Sequence, residues 1–161
     1  MTPGPSLWVV RHGESTWNAE GRMQRQIAHP PLTERGLSQA FAAGNTLRDK
    51  DIDRIVSSDA VRATQTARAI AGVLGVPVSA DVRFRERGWA APGRLEDPTE
   101  RVLSALSDIA VSGDRVAVIT HGDIVYLIRD MLGVTGGWES GSDVPNGLVL
   151  ELRPDALLGR Q

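Results

Sequence analysis

Short apolar runs, each followed at once by polar and charged residues, alternate along this chain with longer stretches whose apolar positions recur at helical spacing. Leu7-Trp8-Val9-Val10 and Val116-Ala117-Val118-Ile119 are rich in β-branched residues and carry no polar side chain, the pattern of parallel strands buried on both faces. Ile52-Asp53-Arg54-Ile55-Val56 is a third such run, Val76-Pro77-Val78 reads as a short edge strand, and Leu148-Val149-Leu150-Glu151-Leu152 as a last strand. Helical spacing places Leu37, Ala40, Phe41, Gly44 and Leu47 on one face after Thr33 as N-cap. A second helix, capped by Ser58 or Asp59 and stopped by Gly75, buries Ala63, Ala67, Ile70 and Leu74. A third starts at Asp97-Pro98-Thr99-Glu100, with Asp97 as cap, and buries Val102, Leu103, Leu106 and Ile109; a fourth runs from Ile124 to Leu132 and stops at Gly133. Residues 79–96 show no period and read as a loop. The glycine-rich run from Thr135 to Gly141 reads as a mobile loop near the rim of a site, and residues 1–6 and 153–161 as flexible ends.

Strands alternating with helices across short connections predict a three-layer α/β/α sandwich with a mainly parallel central sheet, in one domain spanning residues 1–161. Ligands of such sheets bind beyond the carboxyl ends of the strands. Two strands here exit into Arg11-His12-Gly13-Glu14 and Thr120-His121-Gly122-Asp123, which hold two of the three histidines. The strand ending at Val56 delivers Arg62 a few residues later. Converging exits of this kind make a site of two histidines and at least two arginines, a composition suited to phosphate.

Composition narrows the alternatives. The chain has no cysteine, which excludes disulfides, thiolate catalysis and thiolate metal sites and makes a reducing cytoplasm the expected location. No apolar run approaches the roughly 20 residues that span a bilayer. A net charge of -2, from 18 Lys+Arg and 20 Asp+Glu, gives no reason to expect nucleic acid as a partner. No carboxylate–histidine cluster has metal-ligand spacing, and no Walker-type or dinucleotide glycine motif occurs, so neither a metal nor another cofactor is expected. Nothing in the chain speaks to its oligomeric state.

The ordered set Arg11-His12-Gly13-Glu14-Ser15-Thr16-Trp17-Asn18, Gly21-Arg22-Met23-Gln24, Pro31-Leu32-Thr33-Glu34-Arg35-Gly36, Ser57-Ser58-Asp59-Ala60-Val61-Arg62 and Thr120-His121-Gly122 resembles the histidine phosphatase superfamily, in its phosphoglycerate mutase-like branch. The resemblance implies that His12 takes the phosphoryl group as a nucleophile. It implies that Arg11, Arg62 and His121 hold the non-bridging oxygens. Ser15, Asn18, Gln24 and Gly122 are then the expected substrate contacts, with Gly13 and Gly122 letting backbone approach the phosphate. Glu86 is the best match to the family's general acid, the alternative being that it pairs with Arg83, Arg85 and Arg87 on a charged loop. Glu14 is expected to orient rather than to donate a proton. The family's usual sequence after the acid is replaced by Gly88-Trp89-Ala90-Ala91-Pro92-Gly93, and His29 has no family role and reads as a surface-loop histidine.

Gln24 resembles a glutamine of the broad-specificity phosphatases, and only residues 87–120 separate Glu86 from His121, where the family's mutases carry a long insertion. Without that cover, water reaches the phosphohistidine. The expectation is therefore a metal-independent phosphomonoesterase acting on a small phosphorylated metabolite. Alternatives are a phosphohistidine protein phosphatase, a catalytically idle phospho-ligand module and, less favoured, a mutase.

Overall fold

The structure, a computed structural model, describes residues 6–24, 27–88, 96–139 and 142–153. Five strands form one sheet: β1 (Leu7–Arg11), β2 (Arg54–Ser57), β3 (Val78–Ala80), β4 (Val116–Thr120) and β5 (Val149–Leu152), in the order β3-β2-β4-β1-β5. All pairings are parallel except β1 with β5. Among the described residues five α-helices accompany them: α1 (Thr16–Ala19), α2 (Glu34–Leu47), α3 (Val61–Leu74), α4 (Thr99–Ser112) and α5 (Gly122–Met131).

The strand alternation explains the layering, since successive side chains point to opposite faces. Leu7 and Val9 of β1 and Val116 and Val118 of β4 pack with Val102, Leu106, Ile109, Ile124 and Ile128 of α4 and α5. Trp8, Val10, Ala117 and Ile119 pack on the other face with Ala43, Leu47, Ala63, Ala67 and Ile70 of α2 and α3. This is the expected α/β/α sandwich. The chain leaves β1 toward the α2/α3 face and leaves β4 toward the α4/α5 face, so a crevice opens between these neighbouring strands at their carboxyl ends. Among the described residues no helix is long and apolar enough to cross a membrane.

Several local expectations are corrected. Leu37 and Phe41 are 42% and 45% exposed, because α2 meets α3 through its small residues; a Cβ on Gly44 would lie 3.1 Å from the Val73 side chain. That close approach leaves the bulky residues on the flank. Leu103, 39% exposed, is likewise one position off the stripe of Val102, Ala105, Leu106 and Ile109. Neither Ser58 nor Asp59 caps α3, whose N-cap is Ala60 with no side-chain bond: Ser58 turns to His121 and Asp59 to Arg85. Asp97 stands just outside α4, whose N-cap is Pro98, and instead accepts from the Thr99 amide at 3.0 Å.

The expected loop from residue 79 contains the end of β3 and a 3₁₀ turn, Val82–Phe84, set by Asp81 accepting from the Arg83 amide and by the fully buried Phe84. Gly75 does close α3 in the left-handed conformation (φ 70°), as its lack of a Cβ allows. Residues 1–5, 25–26, 89–95, 140–141 and 154–161, which include both expected flexible ends except Ser6 and Arg153, the altered Trp89–Gly93 run and part of the glycine-rich loop, lie outside the described residues.

Candidate active site

Parallel pairing of β1 with β4 sets Arg11 beside Thr120, so His12 and His121 emerge side by side, and the His12 amide donates to the Thr120 carbonyl at 3.0 Å. Their rings lie 5.2 Å apart, edge to face, and both are buried. His12 Nδ1 lies 2.7 Å from the Gly13 carbonyl oxygen, which can only accept, so Nδ1 carries the proton and Nε2 keeps its lone pair. Burial first, then the Arg62 and Arg11 charges, hold the His12 pKa well below the ordinary imidazole range, so the ring is neutral at pH 7. His121 is held down in the same way, by burial and then by His12, Arg62 and Arg11; its Nε2 shares a 2.8 Å hydrogen bond with Ser58 Oγ.

Arg62, on the first turn of α3, is fully buried. Its Nη1 donates to the Ile27 carbonyl at 2.6 Å, whereas Nε and Nη2 have no partner among the described residues. Burial brings its pKa down to about 10. Arg11 donates through Nη1 to the Val144 carbonyl and leaves a buried Nε unpaired. Buried donors are rarely left without acceptors, so three orphaned donors on two guanidinium groups next to a neutral histidine describe a place for an anion.

Glu86 lies after the 3₁₀ turn and is half-buried, with Oε1 accepting from the Arg87 amide at 2.8 Å. Among the described residues no salt bridge joins its carboxylate to the neighbouring arginines: Arg83 binds Asp81 and Asp108, and Arg85 binds Asp59 through Nε and Nη2. Burial, the largest cause, and the Asp123 charge raise the Glu86 pKa to about 7, against the Arg87 amide, Arg11 and Arg62. A carboxyl group poised there can both donate and accept a proton near neutrality. Glu86, Arg11 and Gly122 line one cavity of about 800 Å³.

Three of the remaining expected contacts, Ser15, Asn18 and Gln24, are tied to one another. Ser15 caps α1, accepts from the Asn18 amide at 3.1 Å and donates to Gln24 Oε1 at 2.6 Å; Asn18 Oδ1 accepts from the Ser15 amide. The Gln24 side-chain oxygen is thus turned back onto Ser15. Thr33 Oγ1 donates to Glu14 Oε1 at 2.9 Å, which fits Glu14 as an orienting residue, and His29 is exposed beside Trp17. Gly13 has a packing role: a Cβ there would sit 2.2 Å from the Gly36 carbonyl oxygen, so its absence permits backbone contact with α2. A Cβ on Gly122 would press on Arg11 Nε at 3.3 Å.

Four positioning residues escaped the sequence reading. Thr66 Oγ1 accepts from the Gly13 amide and donates to the Arg62 carbonyl, tying the His12 turn to α3. Asn146 Nδ2 donates to the His12 carbonyl and toward Asn18 Oδ1, and the Gly147 amide donates to the Arg11 carbonyl. Arg101 donates to the carbonyls of Arg83, Arg85 and Glu86, clamping the segment that carries the acid. Ser58 holds His121. Among the described residues, no group of three or more His, Cys, Asp or Glu side chains could hold a metal.

The model of the histidine phosphatase superfamily (branch 1) matches residues 7–94. A "Probable phosphoglycerate mutase GpmB" of Salmonella arizonae is 44% identical over 80% of this chain and 75% of its own length. With that, the chain belongs to the histidine phosphatase superfamily. A protein of the same name from Yersinia pestis is 44% identical over 50% of this chain, a match that spans 37% of the relative's length. Among solved structures, a mycobacterial glucosyl-3-phosphoglycerate phosphatase in complex with VO3 superposes with a TM-score of 0.76 at 25% identity, over 92% of this chain and 91% of its own. Family and fold neighbour together support a phosphoric monoester hydrolase.

Proposed function

We propose that this chain hydrolyses a small phosphorylated metabolite through a phosphohistidine on His12, without a metal ion. The observation that carries the reading is the neutral His12, with its Nε2 lone pair free, beside three buried and unpaired guanidinium donors. The Nε2 lone pair attacks phosphorus, the bond from phosphorus to the ester oxygen breaks, and the leaving oxygen takes the proton of Glu86. Arg11, Arg62 and His121 hold the three non-bridging oxygens. In the second step water gives a proton to the Glu86 carboxylate and attacks phosphorus. The P–N bond breaks, inorganic phosphate leaves and Nε2 recovers its lone pair.

Phosphoryl transfer to a second alcohol, the activity in the name of the Salmonella relative, would begin with the same first step. The short span of residues 87–120 favours water as the acceptor. Rapid quenching during turnover of a radiolabelled phosphomonoester, with EDTA present, should trap one acid-labile phosphate per chain and none in His12→Ala. Turnover without that adduct, or dependence on a metal, overturns the reading.

A further inference from the structure

Glu96, which lies just before α4, belongs to none of the sequence motifs, yet its hydrogen bonds converge on the segment that carries Glu86. Its Oε1 accepts from Arg101 Nη2 at 2.5 Å and from the Gly88 amide at 3.2 Å, and its carbonyl accepts from Arg87 Nε at 2.9 Å. Arg87 and Gly88, the two residues that follow Glu86, are thus both tied to Glu96.

The Arg101 guanidinium carries this hold to the acid. Each of its terminal nitrogens has two hydrogens to give. Nη1 donates to the Arg83 and Arg85 carbonyls, both at 2.7 Å, and Nη2 to the Glu86 carbonyl at 3.0 Å and to Glu96. Arg101 reaches its three carbonyls at once only with its plane fixed. Glu96 takes the second hydrogen of Nη2 and balances the charge, in a pair whose side chains are only 23% exposed. The Glu86 carbonyl and the Arg87 amide belong to one planar, rigid peptide group. Arg101 holds its carbonyl, and its amide donates to Glu86 Oε1 at 2.8 Å. Rotation of that plane would take the donor away from the carboxyl group.

Building on the hydrolase reading, in which Glu86 is the general acid, we propose that Glu96 is a positioning residue for the reaction. Through Arg101 and the Gly88 amide it fixes the peptide between Glu86 and Arg87 in the orientation that presents the Glu86 carboxyl to the leaving oxygen. The charges that act on this carboxyl come from Arg11 on β1, Arg62 on α3 and Asp123 on α5. Glu96 acts instead by the reach of its side-chain oxygen, which an amide supplies as well as a carboxylate.

The test compares kcat/KM of the full chain and its variants for glycerol 3-phosphate, whose alcohol leaves poorly without a proton, and for p-nitrophenyl phosphate, whose phenolate needs little help. A well-placed general acid contributes about 10²–10⁴-fold, so Glu96→Ala should lower kcat/KM by at least about tenfold for glycerol 3-phosphate and by less than about twofold for p-nitrophenyl phosphate. The basic limb of the glycerol 3-phosphate profile should move up by about one pH unit, because the Arg87 amide no longer stabilises the carboxylate. Glu96→Gln keeps the accepting oxygen and should stay within about twofold of the parent on both esters. Equal fractional losses on the two esters, an unmoved limb, or a Glu96→Gln variant as impaired as Glu96→Ala overturns the proposal. Should Glu96→Ala fail to fold, Glu96→Asp, which keeps the charge but falls one methylene short, takes its place under the same expectations. Should the parent hydrolyse neither ester, it is the hydrolase reading that fails. Titration of Glu86 followed by carboxyl NMR in parent and variant then decides the positioning role on its own, and an unmoved titration overturns it.

Discussion

Replacing Arg62 by methionine should stabilise the empty protein while abolishing its chemistry. The side chain is fully buried, and burial lowers its pKa to about 10, more than a hundredfold in proton affinity below an ordinary guanidinium. At 1.36 kcal/mol for each tenfold change in proton affinity, holding this charge in the folded state costs about 3 kcal/mol. Its single hydrogen bond, to the Ile27 carbonyl, returns about 1 kcal/mol, and Nε and Nη2 return nothing until an anion arrives. Methionine keeps an unbranched stem of similar length, so little packing is lost. Arg62→Met should therefore gain about 2 kcal/mol, equivalent to about 4–8 °C in Tm for a chain of this size. The assay is urea and thermal unfolding at pH 7.5, with and without inorganic phosphate. Phosphate at 100 times its Kd should stabilise the unmodified chain by about 2.7 kcal/mol and the variant hardly at all. A variant less stable than its parent by more than about 1 kcal/mol, or one that keeps the full phosphate shift, refutes the reasoning.

Acid should act through the two buried histidines. Both are neutral when folded and bind protons near pH 6.5 when unfolded, so the unfolded chain takes up two more protons and stability falls as pH drops below that value. Glu86 opposes this, because its raised pKa makes the folded chain bind a proton near pH 7 that the unfolded chain binds only near 4.3. Between pH 7.5 and 5.5 the unmodified chain should lose about 1 kcal/mol and Glu86→Gln about 3 kcal/mol, as read from urea midpoints; equal losses in both would exclude the assigned protonation states. Gly13→Ala drives a methyl into the Gly36 carbonyl and should cost more than about 2 kcal/mol or prevent folding, measured by Tm. Arg101→Met releases three carbonyls of the Glu86 segment and should lower kcat about tenfold for esters of poor leaving groups. It should do so far less for p-nitrophenyl phosphate, which needs little acid; equal losses on both substrates would assign Arg101 a purely structural role.

The strand exits could be read from the chain because apolar run and reactive turn are adjacent in sequence: Val10 leads directly to Arg11-His12, and Ile119 to Thr120-His121. The sandwich followed from the same alternation. Other features depend on which surfaces meet. Leu37 and Phe41 are correctly helical, yet periodicity alone could not show that α2 would press its small side chains on α3 and leave them outside. Ser58 looked like a helix cap because serine commonly is one; only the proximity of β2 and β4 turns it toward His121. Thr66, Arg101 and Asn146 act through backbone groups far away in sequence, and such contacts leave no local pattern. Glu86 was found by its neighbours, but its separation from Arg83 and Arg85 depended on Asp81, which caps the turn that holds Arg83, and on Asp59 and Asp108, supplied by other parts of the chain.

The antiparallel β5 and the turn before it bear on how the protein is made. Asn146 grips the carbonyl of His12 across 134 residues of sequence, and Arg11 donates to Val144. During synthesis His12 therefore leaves the ribosome long before the groups that hold its turn. Contacts so distant along the chain form late, after the loop entropy between them has been overcome. The turn that carries His12 cannot be completed until residues 144–152 have been translated.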